Sequence, residues 1–540
     1  MKQNKYILVL FAIGLLSIST YSQKKELSWE ELRKNYKFPT WYTEARFGIW
    51  VHWGAQTEPL QGGGWYARHM YLENVGTEKW GKNAYSYHNK TYGHPSKIGY
   101  KDVINQWKAE SLDTDALVAY FKSIGAKYFV ALANHHDHFD NFNSTYHPWN
   151  SVNLGPKRDI IGEFEQSSKK YNMPYGVSSH DDRFLGWWLP AFGADASGPL
   201  KGIAYDGHMT IEDGKGTWWE GLNPADLYGL PPEKRTPEYI EKVKQNWKLR
   251  HKELVTKYDI DMIWFDGYDF PYGDYGKEVC ESFFNKNLQE SGEINAVVAG
   301  KFHNEPSTVK DIERGGASEI VPYLWQGITT LRTWFYKEDE GEIDYKHNAK
   351  TVIETLADYN SKNGNLLLNV ELLKDGTIPT TQKIMLDEIG AWINLNSEAV
   401  YASKPWKIYG DNLNSYLKVL EESGIGEADL EALKNQKSHE HFNERTLKSP
   451  AYGSDEVRFT TKGNVLYMFV LNPSAGNIEL SSLGLKSEQK PGQISSIQMI
   501  GSDETIEFKQ EAKKLILTVP VKRPNKFATV FKIIGAIKNH

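Results

Sequence analysis

Two short stretches of the chain carry residue types that can do chemistry. Residues 132–142 read LANHHDHFDNF, with three histidines and two aspartates directly after an apolar run. Residues 259–270 read DIDMIWFDGYDF, so Asp266 follows an apolar run and precedes a glycine that lets the chain turn. A carboxylate so placed can attack an anomeric carbon or act as a base. The same aspartate can also simply cap the next helix, and the local sequence leaves both interpretations open.

The histidine cluster is compatible with a metal site, a sugar-binding site or a crowded loop. A zinc site needs three or four ligands that converge on one point. Side chains of adjacent residues in a strand point to opposite faces, so His135 and His136 share an ion only if the strand has already ended. The cluster also lacks the helical histidine pair and glutamate of a zincin. We therefore predict no metal, and a structural role for His138 and Asp140.

The elements that position these residues form a regular alternation between residues 45 and 370. Apolar, strand-like runs alternate with amphipathic helical patterns such as TDALVAYFKSIG; the runs are RFGIWVHWG, AKYFVALANHH, MPYGVSSHD, DIDMIWFDG, INAVVAGKF and GNLLLNV. The carboxyl ends of these runs carry His52, His135, His180 and Asp266. In a (β/α)8 barrel, active sites are built on that face. The alternation predicts an α/β fold with a (β/α)8-like barrel over residues 24–403.

The last part of the chain has a different sequence pattern. Segments of alternating polarity, such as VRFTTKGNVLYMFVLN, KLILTVPV and KFATVFKII, follow a charged stretch. Their period of two and their turn residues predict an antiparallel β-sandwich over residues 404–540. No residue cluster in this segment indicates chemistry of its own.

The amino terminus has the pattern of a secretory signal peptide. Lys2 and Lys5 precede an apolar stretch, residues 6–18, and small residues follow it. We predict that residues 1–23 are removed and that the protein is periplasmic or secreted. No later segment offers the 18 or more uncharged apolar residues that a membrane span requires, so no membrane span is expected.

Composition excludes several classes of function. The net charge of -6 provides no basic stripe for nucleic acid. The single cysteine, Cys280, excludes a disulfide framework and a cysteine-based zinc site. Aromatic residues make up 13% of the chain, and flat rings stack against the apolar faces of sugars as well as filling cores. An oligosaccharide or polysaccharide is the expected partner; the oligomeric state does not follow from the sequence.

Six blocks of this sequence, taken in order, resemble the α-L-fucosidases of glycoside hydrolase family 29. They are RFGIWVHWG, GGGWYARHMY, GAKYFVALANHHDHF, DMIWFDG, NGNLLLNVELLKDGTIP and EAVYASKPW. The resemblance implies a (β/α)8-like barrel followed by a β-sandwich. It also implies an exo-acting enzyme that retains anomeric configuration and needs no cofactor or metal.

The resemblance assigns site residues by position. Asp266 corresponds to the nucleophile, and Lys301 falls where the family usually has an arginine beside it. The residues that correspond to sugar contacts are His52, His135, His136, Trp65 and Trp264, and we add His180 from the strand ends.

The acid/base residue is harder to place, because the family's glutamate lies in a variable loop. The segment VKDIERGGASEIV corresponds to that loop, so Glu313 is our choice, Glu319 its rival and Glu305 a weaker third. In a retaining enzyme the nucleophile and acid/base carboxyl groups lie about 5 to 5.5 Å apart, against about 6.5 to 9.5 Å in an inverting one.

Three departures from the family pattern fall in the sugar subsite. Gly64 stands where a hydroxyl-binding glutamate usually precedes the Trp-Tyr pair, His138 interrupts the pattern HHDGF, and residues 177–181 read VSSHD where tyrosines are usual. Polar donors near the methyl group of L-fucose would suit L-galactose, which carries a hydroxyl there. We predict an exo-α-L-galactosidase acting on an algal polysaccharide such as porphyran. The alternatives are an ordinary α-L-fucosidase and a non-catalytic carbohydrate-binding protein.

Overall fold

The structure is a computed structural model that describes residues 26–73, 84–302, 305–338, 348–413 and 452–538. The predicted signal peptide, residues 1–23, lies outside the described residues. Among the residues that are described, no helix is long and apolar enough to cross a membrane.

Eight parallel strands close into a barrel in sequence order, with β8 pairing back onto β1. The strands are β1 Phe47–Val51, β2 Phe129–Asn134, β3 Tyr175–Ser179, β4 Met262–Phe265, β5 Val297–Gly300, β6 Val309–Glu313, β7 Trp325–Thr330 and β8 Gly364–Asn369. Most of their residues are buried on both faces, which explains why six of the eight read as nearly continuous apolar runs. The barrel confirms the predicted α/β class.

Helices connect the strands and cover the barrel. They are α1 Trp29–Asn35, α2 Thr40–Thr43, α3 Tyr66–His69, α4 Ala84–Thr91, α5 Tyr100–Gln106, α6 Thr114–Ser123, α7 Ile160–Lys170, α8 Phe184–Trp187, α9 Ala225–Tyr228, α10 Pro237–Lys257, α11 Asp274–Ser291, α12 Ala349–Ser361, α13 Thr380–Leu395 and α14 Ser397–Val400. Sequence signals set their ends: Asp113 caps α6, and the Thr236 hydroxyl accepts from the Tyr239 amide at the start of α10.

The barrel interior contains large aromatic rings and a chain of hydrogen-bonded polar side chains. Tyr42 and Tyr128 donate to Gln326 Oε1 at 3.0 and 2.6 Å, and the Gln326 amide donates to Asp311 at 2.9 Å. Burial raises the pKa of Asp311 to about 7. Gly48 makes room for this packing, since a Cβ there would lie 2.4 Å from the Tyr128 ring. The interior is therefore a packed core, and the chemistry belongs at its rim.

Antiparallel sheets form the carboxyl-terminal part, as predicted. The five-stranded sheet has the order β13-β16-β11-β10-β9 and the three-stranded sheet the order β12-β15-β14. Their bounds are β9 Lys404–Asp411, β10 Val457–Lys462, β11 Val465–Val470, β12 Gly476–Leu480, β13 Ser496–Met499, β14 Phe508–Gln510, β15 Leu515–Val519 and β16 Thr529–Ile534. Buried apolar residues from both sheets, including Trp406, Phe459 and Leu517, form one shared core.

A buried ion cluster joins this part to the barrel. Asp358 of α12 accepts from Lys362 at 2.8 Å and from Arg458 of β10 at 2.6 Å, and Arg458 also contacts Glu456 at 3.0 Å. All four side chains are buried. An unpaired charge at a buried position is costly, so these ion pairs are kept together. The cluster therefore stabilises the packing of the five-stranded sheet against the barrel.

Candidate active site

Asp266 lies at the carboxyl end of β4, on the rim of the barrel. Its amide donates to the Ser179 carbonyl of β3 at 3.0 Å, and Gly267 follows with a positive φ of 120°. The next helix, α11, begins only at Asp274. Asp266 therefore does not cap a helix, and its carboxylate faces other ionisable side chains.

Two cations hold the Asp266 carboxylate. Lys301 Nζ lies 2.9 Å from Oδ1, and Arg183 Nη2 lies 2.9 Å from Oδ2. Burial alone would raise the pKa of Asp266, but Lys301, His136 and Arg183 outweigh it and hold that pKa well below its usual range. The carboxylate is therefore an anion at pH 7.

Glu313 is the carboxylate that shares a cation with Asp266, the candidate nucleophile. It is the last residue of β6, and its Oε2 lies 2.7 Å from the same Lys301 Nζ that contacts Asp266 Oδ1 at 2.9 Å. Because both oxygens touch one nitrogen, they lie no more than 5.6 Å apart. That upper limit lies below the separation of about 6.5 to 9.5 Å in an inverting enzyme and agrees with a retaining carboxylate pair.

The other two acid/base candidates lie elsewhere. Glu319 is exposed and lies near Tyr409 of β9, whose pKa is raised mainly by burial and to a small extent by this glutamate, on the side of the carboxyl-terminal sheets. Glu305 accepts from Trp29 Nε1 at 3.2 Å and from Arg33 Nη1 at 3.4 Å, both in α1. Of the three glutamates, the structure brings only Glu313 to Lys301 and Asp266.

The predicted sugar-contacting histidines line the same rim. His52 Nδ1 lies 2.7 Å from Asn369 Oδ1, and His136 Nδ1 lies 2.5 Å from the His180 carbonyl. Burial lowers the pKa of His52 to about 3 and of His136 to about 4, and it holds those of His135 and His180 well below their usual value. These imidazoles are neutral at pH 7, which suits hydrogen bonds to uncharged hydroxyls.

His135 and His136 face the same site rather than opposite faces of a strand. β2 ends at Asn134, so the alternation of strand side chains no longer applies to them, and their ring centroids lie 4.4 Å apart. One ring nitrogen from each of His135, His136 and His180 lies within 4.8 Å of the other two. The condition under which the two histidines can share a ligand, that the strand has already ended, is therefore met.

Aromatic rings form the remaining wall. Trp264 of β4 packs 4.6 Å from Trp50 and 4.9 Å from His180, measured between ring centroids. Trp65 is 39% exposed and packs 4.6 Å from Trp187, at the edge of the site. The rim thus offers flat apolar surface beside its polar groups, as a sugar requires.

Gly64 is small for a steric reason. A Cβ at this position would lie 2.7 Å from the Phe335 ring. Phe335 in turn packs against His135 and His52, at centroid distances of 5.0 and 5.8 Å. The aromatic ring thus occupies the space of the side chain that the family pattern usually has here.

A network of buried charged residues connects the loops that carry the site histidines. His138 adopts a positive φ of 59°, and its Nδ1 lies 2.6 Å from Asp181 Oδ1. Arg250 donates to Asp181 at 2.7 Å and through Nε to Asp140 at 3.0 Å. The ring of His138 stacks on Phe184 at 3.7 Å. Since Asp140 follows β2 and Asp181 follows β3, the network ties the two loops that carry the site histidines.

Arg183 and Gln56 are site residues that the sequence did not predict. Arg183 reaches Asp266 from the loop after β3, and the Gln56 amide nitrogen lies 3.0 Å from His135 Nδ1. The signal for Arg183 was its position three residues after His180, at a strand end. Gln56 carried no comparable signal.

The closed parallel barrel, with a close carboxylate pair and a wall of neutral imidazoles and aromatic rings at the carboxyl ends of its strands, defines a glycoside hydrolase. A family model described as α-L-fucosidase matches residues 15–398, and one described as the α-L-fucosidase C-terminal domain matches residues 452–534. The chain belongs to the α-L-fucosidase family, glycoside hydrolase family 29.

Curated relatives agree with that membership, and a solved structure shares the fold. An α-L-fucosidase of Dictyostelium discoideum is 27% identical over 76% of this chain and 81% of its own length. A putative α-L-fucosidase of Caenorhabditis elegans is 26% identical over 95% of this chain and 92% of its own. The crystal structure of Thermotoga maritima α-fucosidase in complex with fucose has a TM-score of 0.66 at 24% identity, covering 94% of this chain and 99% of that one. The structural likeness shows a shared fold.

Proposed function

We propose that the protein is a retaining, exo-acting glycosidase that removes a terminal α-L-sugar from a glycan. The observation that carries the proposal is the contact of Asp266 and Glu313 with one ammonium group, which keeps their oxygens within 5.6 Å. Inverting enzymes need about 6.5 to 9.5 Å between the carboxyl groups, to admit a water molecule between the general base and the anomeric carbon.

The reaction is a double displacement. An oxygen of Asp266 bonds to the anomeric carbon while the Glu313 carboxyl gives its proton to the departing glycosidic oxygen. Glu313 then takes a proton from water, which attacks the anomeric carbon and releases Asp266. Lys301 contacts both carboxylates and reduces the repulsion between them whenever both are charged.

The names of the relatives support an α-L-fucoside as the substrate. A second candidate, a terminal α-L-galactoside, is favoured by the environment of His180. His180 Nε2 is buried and has no hydrogen-bond partner among the described residues, and the ring lies beside Trp264 and Trp50. An unpaired buried polar atom costs about 1 to 3 kcal/mol. A hydroxyl on C6 of L-galactose, which L-fucose lacks, could relieve that cost.

The ratio of kcat/KM for the 4-nitrophenyl α-L-galactoside and α-L-fucoside separates the two sugars. If the site takes L-galactose, the wild type prefers the galactoside, and His180→Phe shifts the ratio toward the fucoside by about 10-fold or more. A wild-type preference for the fucoside overturns the galactoside candidate. A first product of inverted configuration, followed by NMR, overturns the retaining mechanism, and glycan binding without turnover overturns catalysis itself.

We further propose that the protein is exported and meets its substrate outside the cytoplasm. The support is the lysine-led apolar segment at the amino terminus, and an algal polysaccharide such as porphyran is the polymer that goes with the galactoside candidate. Cell fractionation together with sequencing of the mature amino terminus tests export. Retention of residues 1–23 on a cytoplasmic protein contradicts it.

A further inference from the structure

We infer that His135, His136 and His180 form a binding site for a divalent transition-metal ion, and that an ion bound there blocks Asp266. The binding site stands on the geometry of the three imidazoles. The inhibition also depends on the proposed function, in which Asp266 is the nucleophile.

The three rings are close enough to share an ion. One nitrogen from each lies within 4.8 Å of the other two. Ligand nitrogens around a tetrahedral zinc ion lie about 3.3 Å from one another, given metal–nitrogen bonds of about 2.0 to 2.1 Å. Side-chain movements that shorten the longest separation by about 1.5 Å would therefore complete the set.

The hydrogen bonds of the rings leave lone pairs for a metal. The His136 Nδ1 contacts the His180 carbonyl, which only accepts, so Nδ1 carries the proton and Nε2 carries the lone pair. His180 Nε2 is buried and has no partner within the described ranges, so it can carry the proton and leave the lone pair on Nδ1, the nitrogen that faces Asp266. A half-turn of the Gln56 amide, whose Oε1 has no partner there either, would let Oε1 accept from His135 Nδ1 and free the other nitrogen of that ring.

Asp266 can supply a fourth ligand. Its Oδ2 lies 3.7 Å from His136 Nε2 and 3.9 Å from His180 Nδ1. Three imidazoles and one carboxylate suit Zn²⁺, Co²⁺, Ni²⁺ and Cu²⁺. A carboxylate oxygen that coordinates an ion cannot bond to an anomeric carbon, so the ion and the sugar compete.

Arg183 opposes the ion. Its guanidinium occupies Asp266 Oδ2 at 2.9 Å, and it carries a positive charge into the site. The side chain is 51% exposed, so it can move into solvent when an ion displaces it. Removal of this charge should therefore strengthen metal binding, whereas removal of an imidazole should weaken it.

The experiment uses the tag-free, EDTA-treated full chain, titrated with Co²⁺ by visible absorption and with Zn²⁺ by calorimetry, without substrate. We expect one ion per chain and the intense absorption of four-coordinate Co²⁺. His180→Phe should weaken binding by about 10-fold or more, and Arg183→Gln should strengthen it. His208→Phe, at an exposed histidine, is the matched control and should bind like the wild type.

Failure to bind either ion at millimolar concentration, or unchanged binding by a folded His180→Phe, overturns the site. If His180→Phe does not fold, as judged by its thermal midpoint, the polar variant His180→Asn replaces it. Hydrolysis measured with added Zn²⁺ tests the second part: we expect competitive inhibition that EDTA reverses. Metal binding without hydrolysis of any α-L-glycoside would overturn the proposed function alone, and hydrolysis without metal binding would overturn the site alone.

Discussion

Asp266 and Glu313 contact the same nitrogen atom, Lys301 Nζ, at 2.9 and 2.7 Å. Asp266 follows strand β4, and Glu313 is the last residue of strand β6. Lys301, which follows strand β5, brings their two carboxylates together. The arrangement assigns a different chemical role to each of the three side chains, and each role can be tested by removing one of them.

Asp266→Gly should lower kcat by at least about 10⁴-fold, because the covalent step has no nucleophile. Azide fits the space of the lost carboxylate and attacks the sugar directly. We expect azide to restore part of the activity with an activated aryl glycoside and to give the β-glycosyl azide. Product analysis by NMR checks this, and an α-glycosyl azide or undiminished hydrolysis would contradict the assignment.

Glu313→Ala should lower kcat/KM by about 10² to 10⁴-fold on substrates whose leaving group needs a proton. The loss should be much smaller on a 2,4-dinitrophenyl glycoside, whose leaving group departs without protonation. Glu319→Ala is the matched control and should stay within about twofold of the wild type, because its side chain is exposed and lies near Tyr409 of β9. The opposite order of losses would exchange the two roles.

Lys301→Met should lower kcat/KM by about 10² to 10³-fold, the equivalent of removing one partner from a buried charged set. The reason is that Asp266 and Glu313 would then repel each other without a cation between them. Lys301→Arg keeps the charge and should retain more activity than Lys301→Met. Steady-state kinetics on one substrate compare the pair; equal losses would mean that shape rather than charge matters here.

The buried cluster around Asp358 makes stability depend on pH. Burial would raise the pKa of Asp358, but Lys362 and Arg458 outweigh it and lower that pKa to about 2. The folded pKa lies below the unfolded one, so the stabilisation, about 2 kcal/mol, is present above about pH 4 and lost as the pH falls toward 2. Thermal unfolding followed across that range should show the loss.

Asp358→Asn should remove that pH dependence and destabilise the protein by about 3 kcal/mol at pH 7, because the buried Lys362 loses its carboxylate partner and Arg458 loses one of its two. The control is Asp387→Asn in α13, where the carboxylate is 51% exposed and pairs with Lys383. That change should cost less than about 1 kcal/mol. Equal destabilisation by the two variants would contradict the role of the cluster.

The barrel could be predicted because most of its strands are buried on both faces, and burial forces apolar runs. Strands β6 and β7 were not predicted. β6 reads VKDIE, and its Asp311 lies inside the barrel because the Gln326 amide donates a hydrogen bond to it. The local sequence does not reveal that partner. Periodicity also overstated burial. Ile240 lies at helical spacing from Val243 and Trp247 in α10, which would favour a buried position, yet it is 38% exposed.

The position of Asp266 at the rim could be predicted from the sequence because this residue directly follows an apolar strand. The choice between Glu313 and Glu319 was not visible, since it depends on where an unrecognised strand, β6, stops. Arg183 was missed for a related reason: its contact with Asp266 is made by a loop, and loop conformation follows from tertiary packing rather than from local pattern.

The ring of Phe335 beneath Gly64 constrains how this enzyme can change its specificity. A Cβ at position 64 would meet that ring at 2.7 Å, so any side chain there requires a smaller residue at 335. A glutamate introduced at position 64 alone would clash with the Phe335 ring. A smaller residue at position 335 alone would leave a cavity beside His135. The two positions are therefore epistatic. We expect each single substitution to destabilise the site, and a glutamate at position 64 to be tolerated only together with a smaller residue at 335.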